Sequence, residues 1–175
     1  MEVILSSDKI ADCTTAIADE IVSKTTKGDK IVVIGIRSRG EILAKRLAEV
    51  LSKKFKTKIP CGTLDITLYR DDINDPHGQG QPVVRSTEIG FDIDDTIIIL
   101  VDDVLYTGRS TRAAMDALID LGRPKAIRLA VLIERSGREF PIQADFAGLK
   151  VDLPADKSVQ VNFTESDGKD RVIII

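Results

Sequence analysis

Residues 96–111 read TIIILVDDVLYTGRST, and the fold turns on this stretch. Thr96 to Val101 is an unbroken apolar run rich in β-branched residues, as expected of a strand buried on both faces of a parallel sheet. The acidic pair Asp102 and Asp103 closes the run. Thr107, Gly108, Arg109, Ser110 and Thr111 then make a loop, after which Ala114, Ala117, Leu118 and Leu121 recur at helical spacing. Gly122 and Pro124 are the stop signals of that helix. A buried strand, a polar loop and a helix in this order form half of a βαβ unit.

The same alternation extends in both directions. Upstream, Ile31 to Ile36 is a second buried run, followed by the loop Arg37-Ser38-Arg39-Gly40 and a helical stripe of Leu43, Leu47 and Val50. Before it, residues 8–27 place Ile10, Cys13, Ile17 and Ile21 on one side of a helix, with Ser6 or Ser7 available as its cap. Residues 59–68 read as another strand. Residues 69–82 combine turn formers and charge with almost no apolar anchor, which predicts a long mobile loop. Downstream, Ile127 to Ile133 is a third buried strand, and Val159–Phe163 and Val172–Ile175 are short strand candidates. Together these elements predict an α/β fold with a mainly parallel central sheet flanked by helices, and a flexible loop over the site. The chain has 175 residues and no internal repeat or linker, so one domain over 1–175 is expected.

Composition removes several classes of function. The protein is 43% hydrophobic and 30% charged, which fits neither a disordered chain nor a membrane-spanning one. Cys13 and Cys61 are its only cysteines and His77 its only histidine, too few for a disulfide framework or a zinc site. The first residues lack a basic segment followed by a long apolar one, so a cytoplasmic protein is expected. The net charge of −3 argues against coating nucleic acid. It is unevenly spread: twelve basic against eight acidic residues fall in 1–60, four against twelve in 61–120, and nine against eight in 121–175.

Ligands of open parallel sheets bind beyond the carboxyl ends of the strands, beside helix N-termini. Gly108 permits a tight turn there. The hydroxyls of Thr107, Ser110 and Thr111, with the first amides of the helix, can cradle a phosphate. Two carboxylates would repel that phosphate unless they face another part of the ligand, such as vicinal sugar hydroxyls; a phosphorylated ribose satisfies both. A Walker A loop is a poor alternative, because Asp103 stands where its first glycine belongs and Arg109 replaces its lysine. A dinucleotide site lacks its glycine pattern. A receiver domain would carry its acidic pair after the first strand rather than past mid-chain. A plain helix cap explains one side chain of the group only. In the second loop, Arg37 and Arg39 present guanidinium forks suited to a polyanion.

The stretch VDDVLYTGRST at 101–111 resembles the signature of type I phosphoribosyltransferases, the enzymes that use phosphoribosyl diphosphate (PRPP). Its inner residues, Leu105 to Arg109, are similar to those of the family of pyrimidine operon attenuation regulators. The likeness continues through Ile36 to Gly40, DITLYRDD at 65–72, Met115 to Leu118 and Gly122 to Pro124. This resemblance implies a uracil phosphoribosyltransferase that forms UMP and pyrophosphate from uracil and PRPP, with UMP-responsive binding to leader RNA of pyrimidine genes. It implies that Asp102 and Asp103 hold the ribose hydroxyls, that Thr107, Gly108, Arg109, Ser110 and Thr111 bind the 5-phosphate, and that Arg37, Ser38, Arg39 and Gly40 receive pyrophosphate. Arg70 is implied as a contact to the leaving group, at the start of the closing loop. Arg135 and Val159 fall near the expected base pocket. Mg²⁺ is the implied cofactor, bound with PRPP and with no direct protein ligand assigned, and a homodimer or larger assembly is the implied state.

The RNA role is where this sequence departs from the family. The first-helix stretch Thr14 to Glu20 carries alanine and aspartate where attenuating members carry basic residues. After Glu134-Arg135, Arg138 is kept without its basic neighbours, leaving Arg138 and Lys150 as RNA candidates. Phosphate-contacting cations supply most non-specific affinity, so feeble RNA binding, or none, is expected. An RNA-binding attenuator whose PRPP site senses nucleotides is the alternative to an enzyme.

Overall fold

The structure is a computed structural model that describes residues 1–73 and 83–175. Five strands form the central sheet: β2 (Ile31–Ile36), β3 (Cys61–Leu64), β4 (Ile97–Leu105), β5 (Ala126–Arg135) and β6 (Phe146–Val151). They run in the order β3-β2-β4-β5-β6, and every neighbouring pair is parallel. β2 is buried along its whole length, as its uninterrupted apolar run requires. Helices α1 (Ser7–Lys24) and α2 (Arg39–Phe55) cover one face, and α3 (Arg109–Leu121) covers the other.

Each helix buries most of the stripe that its spacing dictates, with Cys13 and Val50 only partly buried and Leu121, at the end of α3, exposed. Ile10, Ile17 and Ile21 of α1 and Leu43, Leu47 and Leu51 of α2 lie in one core; Ala113, Ala114, Ala117 and Leu118 of α3 lie in the other. The small alanines let α3 approach the sheet closely. Gly122 caps α3, its N–H donating to the carbonyl of Leu118 at 3.2 Å.

Several boundaries differ from the sequence reading. The first helix stops at Lys24 instead of residue 27, because Thr25 leaves helical geometry and its hydroxyl bonds back to the Ile21 carbonyl. The strand expected over 59–68 is confined to Cys61–Leu64; Thr67–Tyr69 turn into a short 3-10 helix after the Asp65 carboxylate accepts the Thr67 N–H and hydroxyl. Two strands are unanticipated. β1 (Glu2–Ser6) pairs antiparallel with β8 (Arg171–Ile174), which in turn pairs with β7 (Val159–Asn162), so the two late strand candidates build a separate three-stranded sheet. β6 was hidden by its composition, since Gly148 and Lys150 interrupt its apolar pattern. Of the loop expected over 69–82, residues 74–82 lie outside the described residues. No helix among the described residues is long and apolar enough to cross a membrane.

Strand order reverses between β2 and β4, whose chains leave toward opposite edges, and a crevice opens there at the carboxyl ends. The loop after β2 and the loop after β4 flank it. Close packing sets their spacing: a Cβ on Gly35 would stand 2.5 Å from both the Glu41 Cα and the Gly40 carbonyl oxygen. Gly35→Ala therefore must push the start of α2 off the sheet. It is expected to destabilise the protein by about 1–3 kcal/mol, the usual cost of forced overpacking, read as a lower midpoint in chemical denaturation.

Candidate active site

Asp102 and Asp103 occupy the floor of the crevice. They were expected in a loop, but β4 continues through them to Leu105, with Asp102 in register beside Val131 and Val104 beside Ile133. Ladder pairing to β5 carries the strand past the apolar run, so the acids are held by sheet hydrogen bonding. The Asp103 N–H donates to Asp102 Oδ1 at 2.9 Å. Burial pushes the Asp102 carboxyl well above the usual carboxylate range, and the neighbouring Asp103 charge adds to the rise. Asp103 is also raised by burial, though the Arg39 guanidinium pulls it back.

The two loops meet at this floor. A Cβ on Gly40 would lie 2.6 Å from the Val101 carbonyl oxygen and 3.2 Å from Asp102 Oδ1, so only glycine lets the 37–40 loop rest on the acid pair. The Arg37–Ser38 peptide bond within that loop is cis. The two arginines differ in role. Arg37 is tied inward: Nε donates to the Ser86 carbonyl at 2.8 Å, and the other nitrogens pair with Glu41 and Glu88. It fastens the return of the long connection to the sheet. Arg39 lines a cavity of about 460 Å³ with Ser38, Glu41, Lys45 and Asp167; one Nη donates to Asp167 at 3.0 Å, its charge is felt at Asp103, and its buried Nε–H has no acceptor among the described residues.

The loop expected to cradle a phosphate stands at the start of α3. Gly108 adopts φ +92°, a left-handed conformation that turns the chain into the helix, where the first amides have no intrahelical acceptor. Thr107 is held in place because its carbonyl accepts the N–H groups of Glu139 and Phe140 at 3.0 and 2.9 Å. Thr107, Arg109 and Ser110 line a cavity of about 550 Å³ together with Arg70, Asp71 and Asp72. Thr111 is buried against the core, so it contributes its backbone to the nest rather than an open hydroxyl. Arg109 is already neutralised: it pairs with Glu139 at 2.7 Å and with Asp71, and lies over the Phe140 ring at 4.8 Å. Arg70 pairs with Asp72 at 2.6 Å. The base of the expected loop is anchored to α3, since Tyr69 O–H donates to Asp120 at 2.7 Å and Arg112 donates to the Tyr69 carbonyl at 2.9 Å.

A second cavity of about 640 Å³ opens beyond Leu105, between the ends of β4, β5 and β6. Arg135 forms its wall. It is buried, stacked 3.9 Å over the Tyr106 ring, and donates to the Lys157 and Pro154 carbonyls, so its charge is used within the fold. Val159 does not line this cavity; it sits half-buried in β7 against the core. Arg138 and Lys150 do line it, but Arg138 donates to the Ile142 carbonyl and Lys150 lies 3.1 Å from a Glu134 carboxylate oxygen. Sequence reasoning missed Glu139, Asp167 and the Tyr106–Arg135 stack. Those partners lie 30, 128 and 29 positions away from the motif residues they touch, and no local spacing encodes such pairs.

A family model of the phosphoribosyl transferase domain matches residues 2–165. Among curated relatives, the bifunctional protein PyrR of Deinococcus radiodurans is 49% identical over 169 residues, covering 97% of this chain and 91% of the relative. The bifunctional protein PyrR of Pelotomaculum thermopropionicum is 49% identical over 173 residues, covering 98% and 94%. Among solved structures, the hypoxanthine phosphoribosyltransferase of Trypanosoma cruzi superposes with a TM-score of 0.73 over 99% of this chain and 95% of that one, at 14% identity, a likeness of fold.

The raised acid pair has a consequence for stability. A carboxyl raised by folding favours the folded state below its ordinary value, near pH 4, and that contribution is lost as pH rises through the higher folded value. At neutral pH the pair therefore weakens the free protein. Asp102→Asn keeps the acceptor for the Asp103 N–H and removes the charge. It should raise the denaturation midpoint at pH 7, with the gain over wild type disappearing by about pH 4.

Proposed function

The chain belongs to the phosphoribosyl transferase family, close to the bifunctional PyrR proteins, and we infer from this and from the crevice that it is a uracil phosphoribosyltransferase. Uracil and PRPP give UMP and pyrophosphate. The observation that carries the reading is the contact of Gly40 on Asp102, which sets a cationic loop, an acid pair and a phosphate nest around one crevice. Each part answers one part of the substrate. The amides of residues 107–111 with the hydroxyls of Thr107 and Ser110 take the 5-phosphate, Asp102 and Asp103 accept the ribose hydroxyls, and Arg39 with the 38–40 backbone takes the diphosphate. Arg37 supports that loop from behind. The cavity walled by Tyr106 and Arg135 receives the base, recognised mainly by backbone groups.

Breaking the bond between the anomeric carbon and the diphosphate leaves positive charge on the ribose and negative charge on the leaving group. Carboxylates on one side and a guanidinium on the other stabilise the two ends of that separation, and both are fixed before the reaction begins. Water must be excluded from the same carbon, which is the work assigned to the loop over 69–82. Mg²⁺ fits this site as an ion carried by the diphosphate. Among the described residues no three Asp, Glu, His or Cys side chains converge to cage it, and the acid pair offers hard oxygens to its water shell. When bound, the ion neutralises diphosphate charge.

RNA attenuation is the weaker reading. The two basic candidates, Arg138 and Lys150, are engaged within the fold, and the exposed side of α1 carries Asp12, Asp19 and Glu20.

Purified protein should form UMP from labelled uracil and PRPP in the presence of Mg²⁺, and absence of UMP would overturn the assignment. Asp103→Asn should lower kcat by about 10²–10³-fold while the thermal midpoint is kept or raised. UMP should produce no mobility shift of pyrimidine leader RNA even at low salt; a tight UMP-dependent shift would restore the attenuator.

A further inference from the structure

Opposite the N-terminal turns of α2 lies a short acidic segment, α4 (Thr164–Asp167), in the connection between β7 and β8. Two arginines of α2 reach it. Arg39 and Arg46 are seven residues apart, two helical turns, and so project from the same side about 10 Å from each other. Arg46 is fully chelated: it donates to Glu165 at 2.9 and 2.5 Å and to Asp170 at 2.7 and 2.9 Å, and it covers the Phe163 ring at 4.8 Å. That fork fixes the acidic segment against α2. Arg39 makes a single contact in the same segment, one Nη to Asp167 Oδ1 at 3.0 Å.

Asp167 is itself held rigidly. Its other oxygen, Oδ2, accepts the Ser166 hydroxyl at 2.6 Å and the Phe163 N–H at 3.0 Å. These bonds, together with Arg39, hold its carboxyl at about 2, so it is an anion at any physiological pH. One oxygen is thus spent on fixing Asp167 and the other on Arg39. Among the described residues the guanidinium makes no other hydrogen bond, it remains about one-third exposed, and its charge is felt at Asp103. A free long side chain would lose rotamer entropy on meeting a ligand; one already fastened at a single nitrogen loses less and keeps donors to spare.

We propose that Asp167 is a positioning residue that fixes Arg39 over the crevice as the pyrophosphate-binding cation. This rests on the reading of the site as a phosphoribosyltransferase. Arg46, with Glu165 and Asp170, is the anchor that keeps the positioning segment in place and has no contact with substrate. The arrangement gives the pyrophosphate end a pre-oriented guanidinium, fixed by a carboxylate far away in the chain.

The test is calorimetric titration of the full-length protein with inorganic pyrophosphate and Mg²⁺, alongside the KM for PRPP. Asp167→Asn is expected to weaken pyrophosphate binding and raise the KM for PRPP by about tenfold or more, equivalent to about 1.4 kcal/mol for each factor of ten. Arg39→Ala is expected to weaken binding at least as much, and adding Asp167→Asn to it should change nothing further. A structural role alone would weaken both backgrounds equally. That result, or binding by Asp167→Asn within twofold of wild type, overturns the proposal. Should Asp167→Asn fail to fold, Asp167→Glu keeps the charge but displaces it by one methylene; weakening of about threefold supports positioning, and unchanged binding overturns it. Pyrophosphate binding does not involve the base, so a wild-type protein that binds pyrophosphate yet forms no UMP contradicts the uracil reading and leaves the Asp167 test standing.

Discussion

The contact between Gly40 and the Asp102 backbone and carboxyl is the constraint on which the site depends. It requires β2 and β4 to be parallel neighbours, a glycine at position 35 so that α2 can begin against the sheet, and no side chain at position 40. With these met, a cationic loop lies on a buried acid pair, an arrangement that electrostatics alone would not place so deep. The acids are raised by their burial, and Arg39 offsets part of that for Asp103. The protein thus carries an unfavourable charge arrangement at the base of the crevice, a local cost in stability that the rest of the fold sustains.

The fold was legible because its central strands are continuous apolar runs and its helices have clean stripes. Ile31–Ile36 matched the observed strand at both ends, and Gly122 ended α3 as expected. The failures are equally physical. Asp102 and Asp103 read as loop because polar residues rarely occupy a buried strand, yet pairing with β5 overrides that preference. β6 escaped notice because an edge strand needs less apolar surface, and β1 because its partner lies at the far end of the chain. At the site, motif residues were identified one by one, while the division of labour among them was not. Arg37 and Arg39 look alike in sequence. Only the positions of Ser86, Glu88 and Asp167 make one a brace and the other a ligand-facing cation.

Charge has a similar lesson. The acidic excess in residues 61–120 is partly concentrated in Asp102 and Asp103, and partly in Asp71 and Asp72, which pair with Arg109 and Arg70 around the phosphate cavity. Several basic residues of 1–60 are paired as well: Arg37, Arg39, Arg46 and Lys54 all have acidic partners. Both lysines of α1, Lys9 and Lys24, are paired with acids of the same helix, so α1 offers no surplus of positive charge.

The Arg46 clasp also sets an order of assembly. Its arginine is translated early and its carboxylates, Glu165 and Asp170, more than a hundred residues later. Synthesis therefore reaches α2, the acid pair and the loop that opens α3 well before the segment that steadies Arg39. At ordinary rates of synthesis, roughly 5–20 residues per second, that interval lasts several seconds. During it, the acid pair and the turn at Gly108 exist in the chain without the carboxylate that fastens Arg39. Arrival of the final hairpin joins the first helices to the last strands and finishes the binding site in the same step.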